Sequence, residues 1–139
     1  MAAVARYLAD KSALARFHLA DVTSVLAPLI EAGLVATCAV IEFEVLWSPG
    51  EYGIVRDDRA AGYQWLTTED IDWHRALDVQ GRLWAATGRM RSVPIPDLLV
   101  AAVAERNRVT VLHYNADYDT IASITGQPTK WVVERGSVL

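Results

Sequence analysis

The chain has 139 residues, 53% of them apolar and 22% charged, which is enough to bury the core of one compact domain and too apolar for a disordered chain. Its net charge of −4 argues against gripping nucleic acid through a broad basic surface, although a local basic rim around an acidic pocket remains compatible with it. The lone Cys38 excludes an internal disulfide and a cysteine-built zinc site, and its apolar neighbours read as those of a buried structural thiol. No apolar run approaches the ~18 residues of a membrane helix. The first residues lack a basic start and a long apolar stretch, so the expected location is the cytoplasm, with no membrane partner.

Val4 to Ala9 is a short apolar run that reads as a buried strand, with Asp10 at its C-terminal end. Ser12 follows, placed to cap a short helix or to hydrogen-bond the Asp10 carboxylate; capping is the expectation. Asp21 to Ala32 has helical spacing that Gly33 terminates, and Pro28 within it implies a kink or a later start. Leu34 to Thr37 is the second expected strand. Ala39 to Trp47 then reads as a helix in which Glu42 and Glu44 both sit among apolar residues, and periodicity does not choose between them.

After the Ser48-Pro49-Gly50 break, Glu51 to Leu66 and Asp72 to Thr87 both carry helical patterns, joined by a turn at Thr67 to Asp70. Trp65, Trp73 and Trp84 read as core or interface aromatics, while Asp57, Asp58 and Asp78, with Arg75 and Arg82, read as solvated charges. Beyond Gly88, Arg89 and Arg91 precede a helix opened by Pro94 and Pro96, in which Asp97 is the single acid at the mouth of a run of Leu, Val and Ala. Capping alone can explain a carboxylate there. Val109 to Leu112 is a third strand, followed by His113 to Asp119, a helix stopping at Gly126, and a short strand over Lys130 to Val133. Strands alternating with helices, without repeat or linker, predict one domain over residues 1–139, a three-layer α/β architecture with a mostly parallel sheet.

One acid in an apolar setting at the edge of an element recurs at Asp10, Glu44, Asp97 and Asp117, which points to a shared site. Carboxylates in one cleft repel unless neutralised, and a hard cation such as Mg²⁺ or Mn²⁺ is the simplest partner for oxygen ligands. His18, His74 and His113 have no zinc-site spacing, and there is no glycine-rich phosphate loop, serine elbow or Cys/His nucleophile pair. An all-carboxylate site implies phosphate chemistry.

The runs Tyr7 to Leu14, Thr37 to Val40, Glu44 to Ser48, Asp97 to Ala102 and Val111 to Tyr118, in that order, resemble a PIN-domain ribonuclease of the VapC toxin type across essentially the whole chain. The resemblance selects Glu44 over Glu42, because the family acid precedes two aliphatics, an aromatic and a small residue. It implies a PIN-like α/β/α domain and an endoribonuclease using Mg²⁺, with Mn²⁺ as substitute. It further implies neutralisation by a cognate VapB-type antitoxin, a homodimer, and contact with operator DNA only through the antitoxin complex. On this reading Asp10, Asp97 and Asp117 hold the cation and Glu44 binds it directly or through water. Ser12 positions Asp10 or the RNA, and Arg89 and Arg91 offer phosphate contacts. Two positions depart from the family pattern: Lys11, where Thr or Ser is usual, and Asn115, where Asp is frequent. Asn115 and Asp119 are additional candidate ligands, Asp119 being equally suited to cap a helix. The alternatives are a degenerate PIN domain that binds RNA or antitoxin without cleavage, and a phosphoacceptor receiver module, which wants two adjacent acids after the first strand.

Overall fold

The structure is a computed structural model that describes residues 4–47, 52–88 and 93–139. Strands β1 (Tyr7–Ala9), β2 (Val35–Cys38), β3 (Gln64–Leu66), β4 (Thr110–His113) and β5 (Thr129–Trp131) form one sheet in the order β3-β2-β1-β4-β5, and every pairing is parallel. Parallel strands need crossovers, and helices supply them: α1 (Lys11–Leu14), α2 (Ala20–Glu31), α3 (Ala39–Val45), α4 (Tyr52–Gly62), α5 (Asp70–Thr87), α6 (Ile95–Asn107) and α7 (Asp117–Thr125).

The alternation of side chains along each strand separates two apolar layers. Leu8 and Val111 join Ala36, Cys38, Ile41, Val100, Val103 and Tyr118 on one face, whereas Leu112 packs with Ala13, Val22, Leu26 and Val132 on the other. This accounts for the burial of all four residues of β2 and of Val111, Leu112 and His113 in β4, which are covered on both sides. In α6 every residue from Asp97 to Ala104 is buried, so it runs through the interior as its composition predicts.

Several local readings change. The stretch expected to be helical up to Leu66 leaves its helix at Gly62 and pairs Gln64, Trp65 and Leu66 with β2. Two of that strand's three residues are exposed, so it lacks the continuous apolar run that marks a buried strand. Helix α2 runs through Pro28 without interruption, and the N-cap of α1 is Asp10, not Ser12. Gly88 and Gly126 end α5 and α7 in the left-handed region, at φ 64° and 71°. Trp65, Trp73 and Trp84 are about half-exposed rather than core. No described helix is long and apolar enough to cross a membrane.

Helix α6 is anchored to α5 by charge. Buried Asp72 accepts the Glu69 N–H in a capping box and two hydrogen bonds from Arg106, at 2.9 and 3.0 Å. Arg75, expected to be merely solvated, donates to Glu105 at 2.7 Å and to Asp78 at 2.6 Å. Replacing Asp72→Ala removes a cap and two of the Arg106 hydrogen bonds, leaving Arg106 with Glu69 and the Thr67 carbonyl. The expected loss, read by urea unfolding, is about 2–3 kcal/mol of stability.

Candidate functional site

In an open parallel sheet, ligands sit beyond the carboxyl ends of the strands, at the point where strand order reverses. Here β1 is flanked by β2 and β4, and the reversal lies between β1 and β4. Asp10 and the segment Tyr114 to Asp117 leave those two strands at that point.

Asp10 continues the ladder through its N–H to the Leu112 carbonyl at 2.9 Å. Its side chain is 3% exposed and both oxygens accept: Oδ2 from the Ser12 N–H at 3.0 Å, Oδ1 from the Tyr118 hydroxyl at 2.7 Å. Asp97 lies in the first turn of α6, but its carboxylate makes no capping bond; Pro94 is the N-cap. Instead Oδ2 accepts from Asn115 Nδ2 at 3.2 Å and Oδ1 lies 3.4 Å from the Tyr118 hydroxyl. Burial, then the charges of Asp10, Asp117 and Glu44, push the Asp97 carboxyl from 3.8 up to about 7.

The two acids of α3 differ in their partners. Glu42 is engaged, accepting from Thr37 Oγ1 at 2.5 Å and from Arg59 at 2.8 to 3.0 Å. Among the described residues Glu44 Oε1 is buried without a partner, and burial and the Asp10 charge both raise the Glu44 pKa. A carboxylate oxygen in that position is a ligand donor awaiting a cation or a proton.

Asp117 opens α7, and its N–H donates to Asn115 Oδ1 at 3.0 Å. Asn115 therefore uses its carbonyl oxygen on the helix start and its amide on Asp97, which ties the two acids together. Asp119 lies apart: it is exposed, accepts from Trp131 Nε1 at 3.1 Å, and makes no helix-capping bond. Ser12 Oγ accepts the Tyr114 N–H at 2.9 Å, holding α1 against the end of β4. Lys11 is exposed and forms no ion pair with Asp10 among the described residues. Arg89 and Arg91 lie outside the described residues.

Two buried side chains carried no role in the sequence reading. Tyr118 is fully buried with its hydroxyl between Asp10 and Asp97, and His113 is fully buried, its Nδ1 accepting the Asn115 N–H at 3.1 Å. Tyr118 follows Asp117 directly, which was the available signal, but a Tyr between two acids at a helix start does not announce a buried hydroxyl. Burial holds the Tyr118 hydroxyl protonated, and Asp10 and Asp97 add to that, so it acts as a donor.

Asp10, Glu44 and Asp117 lie near enough to Asp97 to raise its proton affinity, and Asp10 near enough to raise that of Glu44. Among the described residues, no group of three or more His, Cys, Asp and Glu side chains stands in an arrangement that could hold a metal ion. By donor chemistry the four side chains suit a hard divalent cation: all are carboxylates, three of them raise the pKa of the fourth, and among the described residues one buried oxygen has no partner.

No family model matches the chain. Among curated relatives, ribonuclease VapC21 of Mycobacterium tuberculosis is 42% identical over 135 residues, spanning 95% of this chain and 97% of that protein. Ribonuclease VapC51 of the same organism is 38% identical, spanning 96% and 97%. Of solved structures, VapBC from Salmonella typhimurium bound to DNA has a TM-score of 0.71 at 10% identity, covering 93% of this chain and 99% of that one. VapBC-5 from Mycobacterium tuberculosis has a TM-score of 0.60 at 20% identity, covering 92% and 96%. At such identities these structures share the fold.

The elevated Asp97 pKa has a sign that can be measured in metal-free protein. Between about 4 and 7 the native state holds a proton that the unfolded chain releases, so this contribution to stability is full below about 4 and lost as pH rises through about 7. Unfolding of wild type and Asp97→Asn across pH should therefore show the variant gaining relative stability from about pH 4, with the difference levelling above about pH 7.

Proposed function

The chain belongs to the VapC family of ribonucleases, and on that premise we propose that it is a divalent-metal-dependent endoribonuclease whose centre is Asp10, Glu44, Asp97 and Asp117. The observation that carries this reading is the Asp97 carboxyl, raised to about 7 by burial and by the other three acids. A carboxyl so perturbed by three other acids, at the switch point of a parallel sheet, is characteristic of functional sites.

Asp10, Asp97 and Asp117 would hold Mg²⁺, or Mn²⁺ in its place, with Glu44 binding directly or through water. Such an ion, when bound, polarises a phosphoryl oxygen and supplies a nucleophilic water for in-line hydrolysis of the RNA phosphodiester. The protein's own part is orientation. Ser12 N–H and Tyr118 Oη fix the two oxygens of Asp10, while Asn115 fixes Asp97 against the start of α7. Lys11 is free of Asp10 and exposed beside the centre, where its ammonium suits an RNA phosphate; Arg89 and Arg91 would extend that contact. The receiver reading is disfavoured by strand order, since receivers follow 2-1-3-4-5 and here β1 is flanked by β2 and β4.

As a toxin of this family the chain would act in the cytoplasm, as one domain over residues 1–139 and as a homodimer. A VapB-type antitoxin would neutralise it and make the contacts with operator DNA. The antitoxin's place is suggested by a groove of about 630 Å³ between α3 and α4, lined by Phe43, Leu46, Trp47, Tyr63 and Trp65 with Arg56 and Arg59 at hand. Phe43, on the helix that also carries Glu44, and Trp47, just past the end of that helix, are 76% and 86% exposed. An apolar antitoxin segment with acidic flanks would cover them and crowd the site through the same helix.

Purified protein incubated with cellular RNA and Mn²⁺ should cleave it, and Asp97→Ala and Glu44→Gln should each lower the rate at least about 100-fold. Glu42→Gln should fold less stably yet retain the metal requirement. Equal cleavage by wild type and Asp97→Ala would sink the assignment. Trp47→Ala should weaken antitoxin binding about 30-fold or more by calorimetry, leaving RNA cleavage by the free toxin intact.

A further inference from the structure

The centre contains one polar group that the proposed chemistry does not need for contact with RNA or metal. Tyr118 is fully buried, its ring centroid 5.0 Å from that of His113, which in turn lies 5.0 Å from the Trp131 ring. His113 is itself held by the Asn115 N–H. The ring of Tyr118 is therefore packed, and its hydroxyl points one way. The side-chain oxygens it reaches are Asp10 Oδ1 at 2.7 Å and Asp97 Oδ1 at 3.4 Å. A Phe would fill the same apolar space without bringing a hydroxyl into the interior, where it needs a partner.

We infer that Tyr118 is a positioning residue: its hydroxyl clamps Asp10 Oδ1, within reach of Asp97, and sets the arrangement in which the two carboxylates meet the cation. The inference rests on the metal-dependent reading of the four acids. Each oxygen of Asp10 takes one donor, Tyr118 on Oδ1 and Ser12 N–H on Oδ2, which stops the carboxylate rotating and leaves lone pairs for a ligand. Because Tyr118 sits beside Asp117 on α7, the helix that carries one acid also orients another. Such outer partners set ligand direction and typically alter metal affinity 10–100-fold.

Tyr118→Phe isolates the hydroxyl while keeping the ring. Calorimetric titration of metal-free protein with Mn²⁺ should give a dissociation constant about 10–100-fold weaker than wild type. In RNA cleavage at saturating Mn²⁺, kcat should fall with KM unchanged, because a fully buried hydroxyl does not touch RNA. Equal Mn²⁺ affinity in the two proteins would overturn the inference alone, and a raised KM with unchanged kcat would do the same. Wild type that binds no Mn²⁺ at all would instead overturn the metal-dependent reading on which it rests. If circular dichroism shows the Phe variant unfolded, 3-fluorotyrosine at position 118 keeps the shape and changes only donor strength. A shifted Mn²⁺ affinity then supports the clamp, and an unshifted one overturns it.

Discussion

Placing negative charge out of water is the constraint around which this molecule is organised. Asp10 and Asp97 are 3% and 6% exposed, at the one place in the sheet where the chain reverses direction of winding. An isolated buried carboxylate neutralises itself by raising its pKa, and Asp97 does so. What keeps the pair in place is a set of donors from three other elements: an N–H of α1, the Asn115 amide after β4, and a hydroxyl of α7. Each donor in turn depends on backbone geometry that the sheet alone provides.

The same logic separates two acids that are two residues apart. Glu42 and Glu44 share a seven-residue helix, yet one closes an ion pair with Arg59 from α4 and the other leaves an oxygen buried and unpaired. The first fixes α4 against α3 and so shapes the aromatic groove; the second faces Asp10. Helical phase thereby separates the paired acid from the unpaired one, and Phe43 on the same helix, with Trp47 just past its end, lines the groove proposed for the antitoxin.

The fold places its rigidity away from the chemistry. Asp72, Arg106, Arg75 and Glu105 lock α5 to the far half of α6, whereas Asp97 occupies the first turn of that helix. The buried run from Leu98 to Ala104 links the two, so the position of Asp97 is inherited from packing along the whole helix rather than from a loop.

The sequence by itself determined the α/β class and the buried strands, and it singled out Asp10, Asp97 and Asp117 as candidate acids, because each rests on local pattern: short apolar runs read as covered strands, and a lone carboxylate at the edge of such a run is conspicuous. Strand β3 was not legible, since Gln64 and Trp65 face solvent at a sheet edge and carry no apolar run. Nor was the end of α6, where Arg108 takes the left-handed cap at φ 56° that glycine usually marks. Choosing Glu44 over Glu42 needed either a family resemblance or the Arg59 contact, which joins residues far apart in the chain. Only the tertiary structure showed that Asp97 is not a helix cap, that Asn115 joins it to α7, and that Tyr118 stands between it and Asp10. Those facts belong to pairs separated by 18, 21 and 108 positions, and no periodicity along the chain encodes a contact that only the crossing of strands and helices creates.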